Sequence, residues 1–195
     1  MGKTALVVDI ILAFPEAEWT AVKISPHGHE ARAESGDDAR AGSLAAEIVL
    51  EEDKNRSGLT DTSRFGLAGA KRTFWLRTPP RQIAAGMERI EKLLEEGAKV
   101  IVESNAVLEI LQPQLYLMVL DPSVREFKES ARRWLGRVDA FVTRGPRGGA
   151  GWERVSGQIG GSKPVYEQRL GEPLPEGLLL LIRNRLFASV HPPTT

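Results

Sequence analysis

Apolar residues recur along this chain with two alternating spacings, one helical and one extended. Within residues 3–14, Leu6, Ile10 and Phe14 lie four apart with Val7 and Ile11 beside them, and Pro15 stops the run. That is the stripe of an amphipathic helix. Residues 19–24 predict a short strand. The character changes over residues 28–60, where Gly, Ala, Ser and charged residues predict a solvated loop or lid, with a β-prone arm at 47–50. Asp61-Thr62-Ser63-Arg64 predicts the cap of a short helix ending at Gly69, and residues 73–77 predict a strand. Beyond Pro79-Pro80, a stripe of Ile83, Met87, Ile90 and Leu94 predicts a helix closed by Gly97.

The second half continues the alternation. Residues 99–103 and 115–120 predict buried strands, 124–135 a helix, 138–143 a strand, 145–151 a glycine-rich loop and 163–166 a late short strand. A last helix is predicted over 176–189, with Leu178, Leu179, Ile182 and Leu186 inward. Short apolar strands separated by helices argue an α/β fold with a mostly parallel sheet and helices on both faces. Neither an internal repeat nor a linker splits the pattern, so residues 1–195 read as a single domain. In such sheets ligands sit at the carboxyl ends of the strands, so the polar residues just after each strand are the candidates for chemistry.

Composition narrows the choice. Lys+Arg and Asp+Glu number 26 each, giving a net charge of zero, so no overall basic excess points to nucleic acid or an anionic membrane. Cysteine is absent, which excludes a disulfide framework, a thiolate metal site and a cysteine nucleophile. No apolar run reaches the roughly 18 residues of a membrane span, and the start does not read as a signal peptide. The expectation is a soluble cytoplasmic protein.

Met1-Gly2-Lys3-Thr4 carries the end of a phosphate-binding loop, G-x-x-x-x-G-K-[ST]. In a complete loop the Lys reaches the β/γ-phosphates, the Thr hydroxyl holds Mg²⁺, and the helix behind adds its positive dipole end. After the 19–24 strand come Ser25, His27, Gly28 and His29, with Lys23 inside it. The two histidines read as a metal pair or as plain loop lining. Glu103 ends the Val100-Ile101-Val102 run, where a carboxylate is costly unless it pairs or serves a cation. It reads as a nucleotide-Mg²⁺ carboxylate or as a salt-bridged strand exit. Asp121, before Pro122-Ser123, reads as a turn or N-cap residue.

Three segments follow Gly-Lys-Thr in order. They are Trp19-Thr20-Ala21-Val22-Lys23-Ile24-Ser25-Pro26-His27-Gly28-His29, then Asp61-Thr62-Ser63-Arg64 with Ala68-Gly69-Ala70, then Val100-Ile101-Val102-Glu103-Ser104-Asn105. Over residues 2–143 the chain resembles P-loop NTPases related to the molybdopterin-guanine dinucleotide biosynthesis adapter proteins. Those carry a V-x-x-I-K-H…H strand exit, a D-S-x-R…A-G-A segment and a V-x-V-E-G strand. The resemblance implies a Mg²⁺-dependent site for GTP or ATP. Gly2, Lys3 and Thr4 would be the phosphate-loop remnant, with Thr4 on the metal. Lys23 and His27 would lie near the phosphates or a lid, Asp61 in a switch-like segment and Glu103 near Mg²⁺.

This chain departs from that pattern in three places, one of them its C-terminal part, Leu115 to Val190, which is longer than the adapters need. Glu103 is followed by Ser-Asn rather than Gly, and the strand and leading loop residues that precede Gly-Lys-Thr in the family are absent. The expectation is therefore a P-loop-like sheet truncated at its amino terminus and lacking its first strand, whose neighbours would be the strands at 100–103 and 115–120. The function expected is nucleotide binding, with hydrolysis or a conformational switch. The alternatives are a non-catalytic adapter or cofactor-binding protein of the molybdenum-cofactor type, or an inactive remnant. A protein partner or a homodimer is compatible with either.

Overall fold

Thr20–Pro26 forms an inner strand, β1, because Ala21, Val22 and Ile24 need cover that an edge would not give them. The computed structural model describes residues 2–26, 48–104, 106–121, 132–145, 163–169 and 171–187, together with 152, 153, 156, 157 and 159. The chain divides into two compact units, Phe14–Leu111 and Met1–Ala13 with Gln112–Thr195. The architecture is α/β. The histidines at 27 and 29, residues 28–47 of the expected loop and residues 124–131 of the expected helix lie outside the described residues.

In the first unit β1 is flanked by β3 (Arg72–Thr78) and β4 (Val100–Glu103), both parallel to it, and β2 (Val49–Glu52) adds antiparallel to β3. The β-prone arm expected at 47–50 is thus a real edge strand, shifted by two residues. Helix α2 (Asp61–Leu67) begins one residue earlier in its capping than expected. Thr60, not Asp61, is the N-cap, and its hydroxyl accepts from Ser63 N at 3.1 Å while Thr60 N donates to Ser63 Oγ at 2.9 Å. This reciprocal pair satisfies two donors that a helix start otherwise leaves orphaned.

Helix α3 (Ile83–Glu91) buries Ile83, Met87 and Ile90 as the stripe predicts, but ends before Leu94. Gly86 sets how close α3 lies to the sheet: a Cβ there would stand 2.8 Å from a Leu76 methyl. The core of this unit is Phe14, Trp19, Val22, Phe65, Phe74 and Leu76, each at most 2% exposed. Fully burying a side chain of this size stabilises by roughly 1.5–3 kcal/mol.

The second unit holds helix α1 (Lys3–Ala13) and a parallel three-stranded sheet in the order β5 (Leu117–Leu120), β6 (Ala140–Thr143), β7 (Val165–Glu167). All four residues of β6, the middle strand, are buried, and Met118, Leu120, Val138 and Phe141 form a cluster that Tyr116, Leu135 and Val165 cover. Helix α4 (Glu176–Leu186) buries Leu178 and Ile182 completely. Leu179 and Leu186, expected inward, are only half-buried. Residue 179 lies about 100° round the helix from 178, off the face that Leu178 and Ile182 share at i, i+4.

Among the described residues the strands form two sheets rather than the single one expected. The strands predicted to flank an absent one, β4 and β5, are each an edge strand among the described residues, β4 pairing with β1 alone and β5 with β6 alone. No helix among the described residues is long and apolar enough to cross a membrane.

Candidate functional site

The carboxyl ends of β1 and β4 are where parallel strands of this topology present ligand-binding groups. Lys23 and Glu103 are register partners there, on adjacent strands. Lys23 interrupts an apolar run in the inner strand, and its Nζ lies 2.6 Å from Glu103 Oε1 and 2.8 Å from Asp61 Oδ2. Asp61 arrives from α2, whose Thr60 cap holds the first turn in place. The Glu103 side chain is only 4% exposed, the Lys23 side chain 20% and that of Asp61 41%. The cluster thus runs from a buried carboxylate, through a shared ammonium, to an open carboxylate.

The charges in this cluster support one another. Burial of the Lys23 ammonium pulls its pKa down, but hydrogen bonds to Asp61 and Glu103, with their negative charges, outweigh that and hold it above its ordinary 10.5. Beside this row, Trp75 Nε1 donates to Ser25 Oγ at 3.1 Å and the Arg77 guanidinium lies 4.4 Å over the Trp75 ring. Trp75 is half-buried while Phe74 is fully buried, since neighbours on a strand face opposite ways.

Three of the residues singled out in the sequence, Lys23, Asp61 and Glu103, are thus brought together. Gly2, Lys3 and Thr4 belong to the other unit and open α1 there. Gly2 has φ +128°, a conformation that favours glycine, and its carbonyl accepts the first helical bond from Leu6 N at 3.0 Å. Lys3 is exposed and Thr4 half-buried.

No family model, curated protein or solved structure matches the chain.

One hollow lies at the other end of the first unit's sheet, lined by Ala17, Thr20, Lys71, Arg72, Gly97 and Lys99. Its Lys71 pairs with Glu18 at 3.3 Å and Glu95 at 3.2 Å, all of them exposed. Exposed pairs of this kind contribute little and mark no chemistry. It also lies at the amino ends of β1, β3 and β4, away from the carboxylate cluster.

Two residues of the second unit escaped the sequence reading. Asp9 is a carboxylate inside the apolar run of α1, and Arg144 follows β6; they pair at 3.1 Å. A charge standing alone within an apolar helix was the available signal.

Proposed function

We propose that this protein binds a nucleoside triphosphate, GTP or ATP, with Mg²⁺. The observation that supports it best is the Lys23–Asp61–Glu103 cluster at the carboxyl ends of parallel strands. A buried ion pair is a weak source of stability, because desolvating both charges offsets most of their attraction. Apolar residues of the same volume would hold β1 against β4 as well or better. A buried carboxylate kept at a strand exit, hydrogen-bonded to an ammonium that an open carboxylate shares, is better explained by chemistry than by packing.

The residues suit the role by type. Mg²⁺ takes hard oxygen ligands and in nucleotide sites is held by one or two carboxylates or hydroxyls plus phosphate oxygens, directly or through water. Glu103 offers a buried carboxylate. Among the described residues no group of three or more His, Asp or Glu gathers into a metal cage, which is compatible with an ion shared with phosphate. When bound, Mg²⁺ neutralises charge on the phosphates. The Lys23 ammonium supplies positive charge beside the phosphates, and Asp61, the open member, orients water.

The test is calorimetric titration of the full chain with ATP and with GTP, with and without Mg²⁺. Mg²⁺-dependent binding is expected, weakened at least about tenfold at limiting Mg²⁺ by Glu103→Gln, equivalent to roughly 1.4 kcal/mol. No binding of either nucleotide would overturn the reading, and equal affinity of the variant would remove Glu103 from it.

A further inference from the structure

Ala21, Lys23 and Ser25 of β1 share one face of the first sheet, and their register partners on β3 are Thr73, Trp75 and Arg77. Glu51 of β2 stands opposite Trp75, and Glu103 of β4 opposite Lys23. One row across the four strands therefore reads Glu51, Trp75, Lys23, Glu103. The reverse face carries Val22, Ile24, Phe74 and Leu76, all buried.

The polar face changes along its length. Ala21 and Thr73 are buried at its amino end, where a Cβ on Gly66 of α2 would lie 3.7 Å from the Thr73 hydroxyl. Further along, Lys23, Trp75, Ser25 and Arg77 are only half-buried. A face that needed no more than solvent would carry small polar residues there. It carries a tryptophan, and that tryptophan is held. Its Nε1 donates to Ser25 Oγ at 3.1 Å, and the Arg77 guanidinium lies 4.4 Å over its ring. The guanidinium in turn donates to Glu51 Oε1 at 2.8 Å. Ring and cation are thus both fixed in orientation.

Aromatic rings and guanidinium planes are the surfaces on which nucleobases stack. We propose that Trp75 and Arg77 form the stacking platform for the purine base of the nucleotide whose phosphates meet the Lys23–Asp61–Glu103 cluster. The spacing suits one molecule. Trp75 on β3 and Glu103 on β4 are two strands apart, about 10 Å at the usual strand separation. An extended nucleoside triphosphate bridges that distance. A platform already held by Ser25 and Glu51 loses little freedom when the base arrives. Stacking is tolerant of base identity, because every base has a π-face, so the platform takes adenine or guanine. This inference rests on the nucleotide reading above and names the part of the site that receives the base.

Inorganic triphosphate, which has neither base nor sugar, separates the base contacts from the phosphate contacts. Calorimetry in Mg²⁺ compares it with ATP on the full chain and on Trp75→Leu, Trp75→Phe and Arg77→Gln. The parent should bind ATP more tightly than inorganic triphosphate. Trp75→Leu should weaken ATP about tenfold and leave inorganic triphosphate unchanged. Trp75→Phe keeps a smaller ring and should recover part of that loss, and Arg77→Gln should cost ATP a smaller factor. ATP, but not inorganic triphosphate, should also quench the tryptophan emission of the parent. Trp75→Phe, which retains the other three of the four tryptophans, should lose that quench. Circular dichroism records the folding of each variant.

A folded Trp75→Leu that keeps the parent's affinity for ATP, or that loses ATP and inorganic triphosphate equally, would overturn the platform and leave the phosphate site standing. If Trp75→Leu does not fold, the quench decides, and one that survives in Trp75→Phe overturns the platform equally. So would a parent that binds ATP no more tightly than inorganic triphosphate. A parent that binds neither would overturn both readings.

Discussion

Lys23 and Glu103 are register partners on adjacent parallel strands, and the ammonium of one lies 2.6 Å from the carboxylate of the other. The pairing puts the most buried carboxylate of the first unit's strand ends beside a half-buried cation. The same ammonium is also 2.8 Å from Asp61, at the start of α2. A strand, its neighbour and a helix therefore meet on one side chain.

Replacing Glu103 by Gln keeps the shape and removes the charge. The amide oxygen still accepts from Lys23, so the loss of stability should be about 1–3 kcal/mol, as for a weakened charge-assisted hydrogen bond. Urea unfolding measures it. If Glu103 serves Mg²⁺, the variant should also need more Mg²⁺ for nucleotide binding. Lower stability with an unchanged Mg²⁺ requirement would confine Glu103 to the ion pair.

Lys23→Met should cost more, about 3 kcal/mol, because it leaves the buried Glu103 carboxylate without its ammonium. The double variant Lys23→Met/Glu103→Leu should regain much of that loss, since the charge left behind is gone. If the double variant is less stable than Lys23→Met alone, the cost does not come from an unpaired carboxylate.

Lys23 and Tyr116 both make stability fall in alkali. Lys23 has its pKa raised above 10.5 in the folded chain, so its contribution is fully present below 10.5 and is lost as pH rises through the folded value. Burial pushes the Tyr116 phenol from 10.0 up to about 12, so the unfolded chain loses that proton first and stability falls between those values. Unfolding followed across that range should show a steep decline in the parent. Tyr116→Phe and Lys23→Met should each make it shallower, and an identical slope in either variant would remove that residue from the effect.

Thr60→Ala removes the cap that holds the first turn of α2, at a cost of about 0.5–2 kcal/mol. It should also loosen Asp61 from Lys23. A double-mutant cycle of Thr60→Ala with Asp61→Asn should therefore be non-additive by about 0.5 kcal/mol or more. Strict additivity would mean that the cap and the carboxylate act separately.

Phe141→Ala opens a cavity in the middle strand of the second unit, where the side chain is 0% exposed. The expected loss is about 3–5 kcal/mol. A change below about 1 kcal/mol in urea unfolding would mean that the cluster with Met118, Leu120 and Val138 collapses to fill the space.

Local pattern in the sequence was enough for the strands at 20–26, 72–78 and 140–143 and for the buried face of α3. Apolar periodicity reports which side of an element needs cover, and that requirement is local. Lys23 and Glu103 stood out for the same reason, as charges set against apolar strand residues. That they meet was not legible, because the register of β1 on β4 joins residues 80 apart and is chosen by the whole sheet. The Thr60 cap depended on where α2 begins, and sequence places helix ends only to within a few residues.

The grip of Arg144 on Gly2 and Asp9 joins residues 142 and 135 apart, and no local rule could pair them. The division into two sheets was likewise decided by tertiary structure, since a strand's sequence states its need for partners but not which partners it finds. Periodicity and composition determined the α/β class, the absence of thiol chemistry and the residues worth watching. Only the folded chain decided which of those residues touch, because contact follows from packing over long sequence separations.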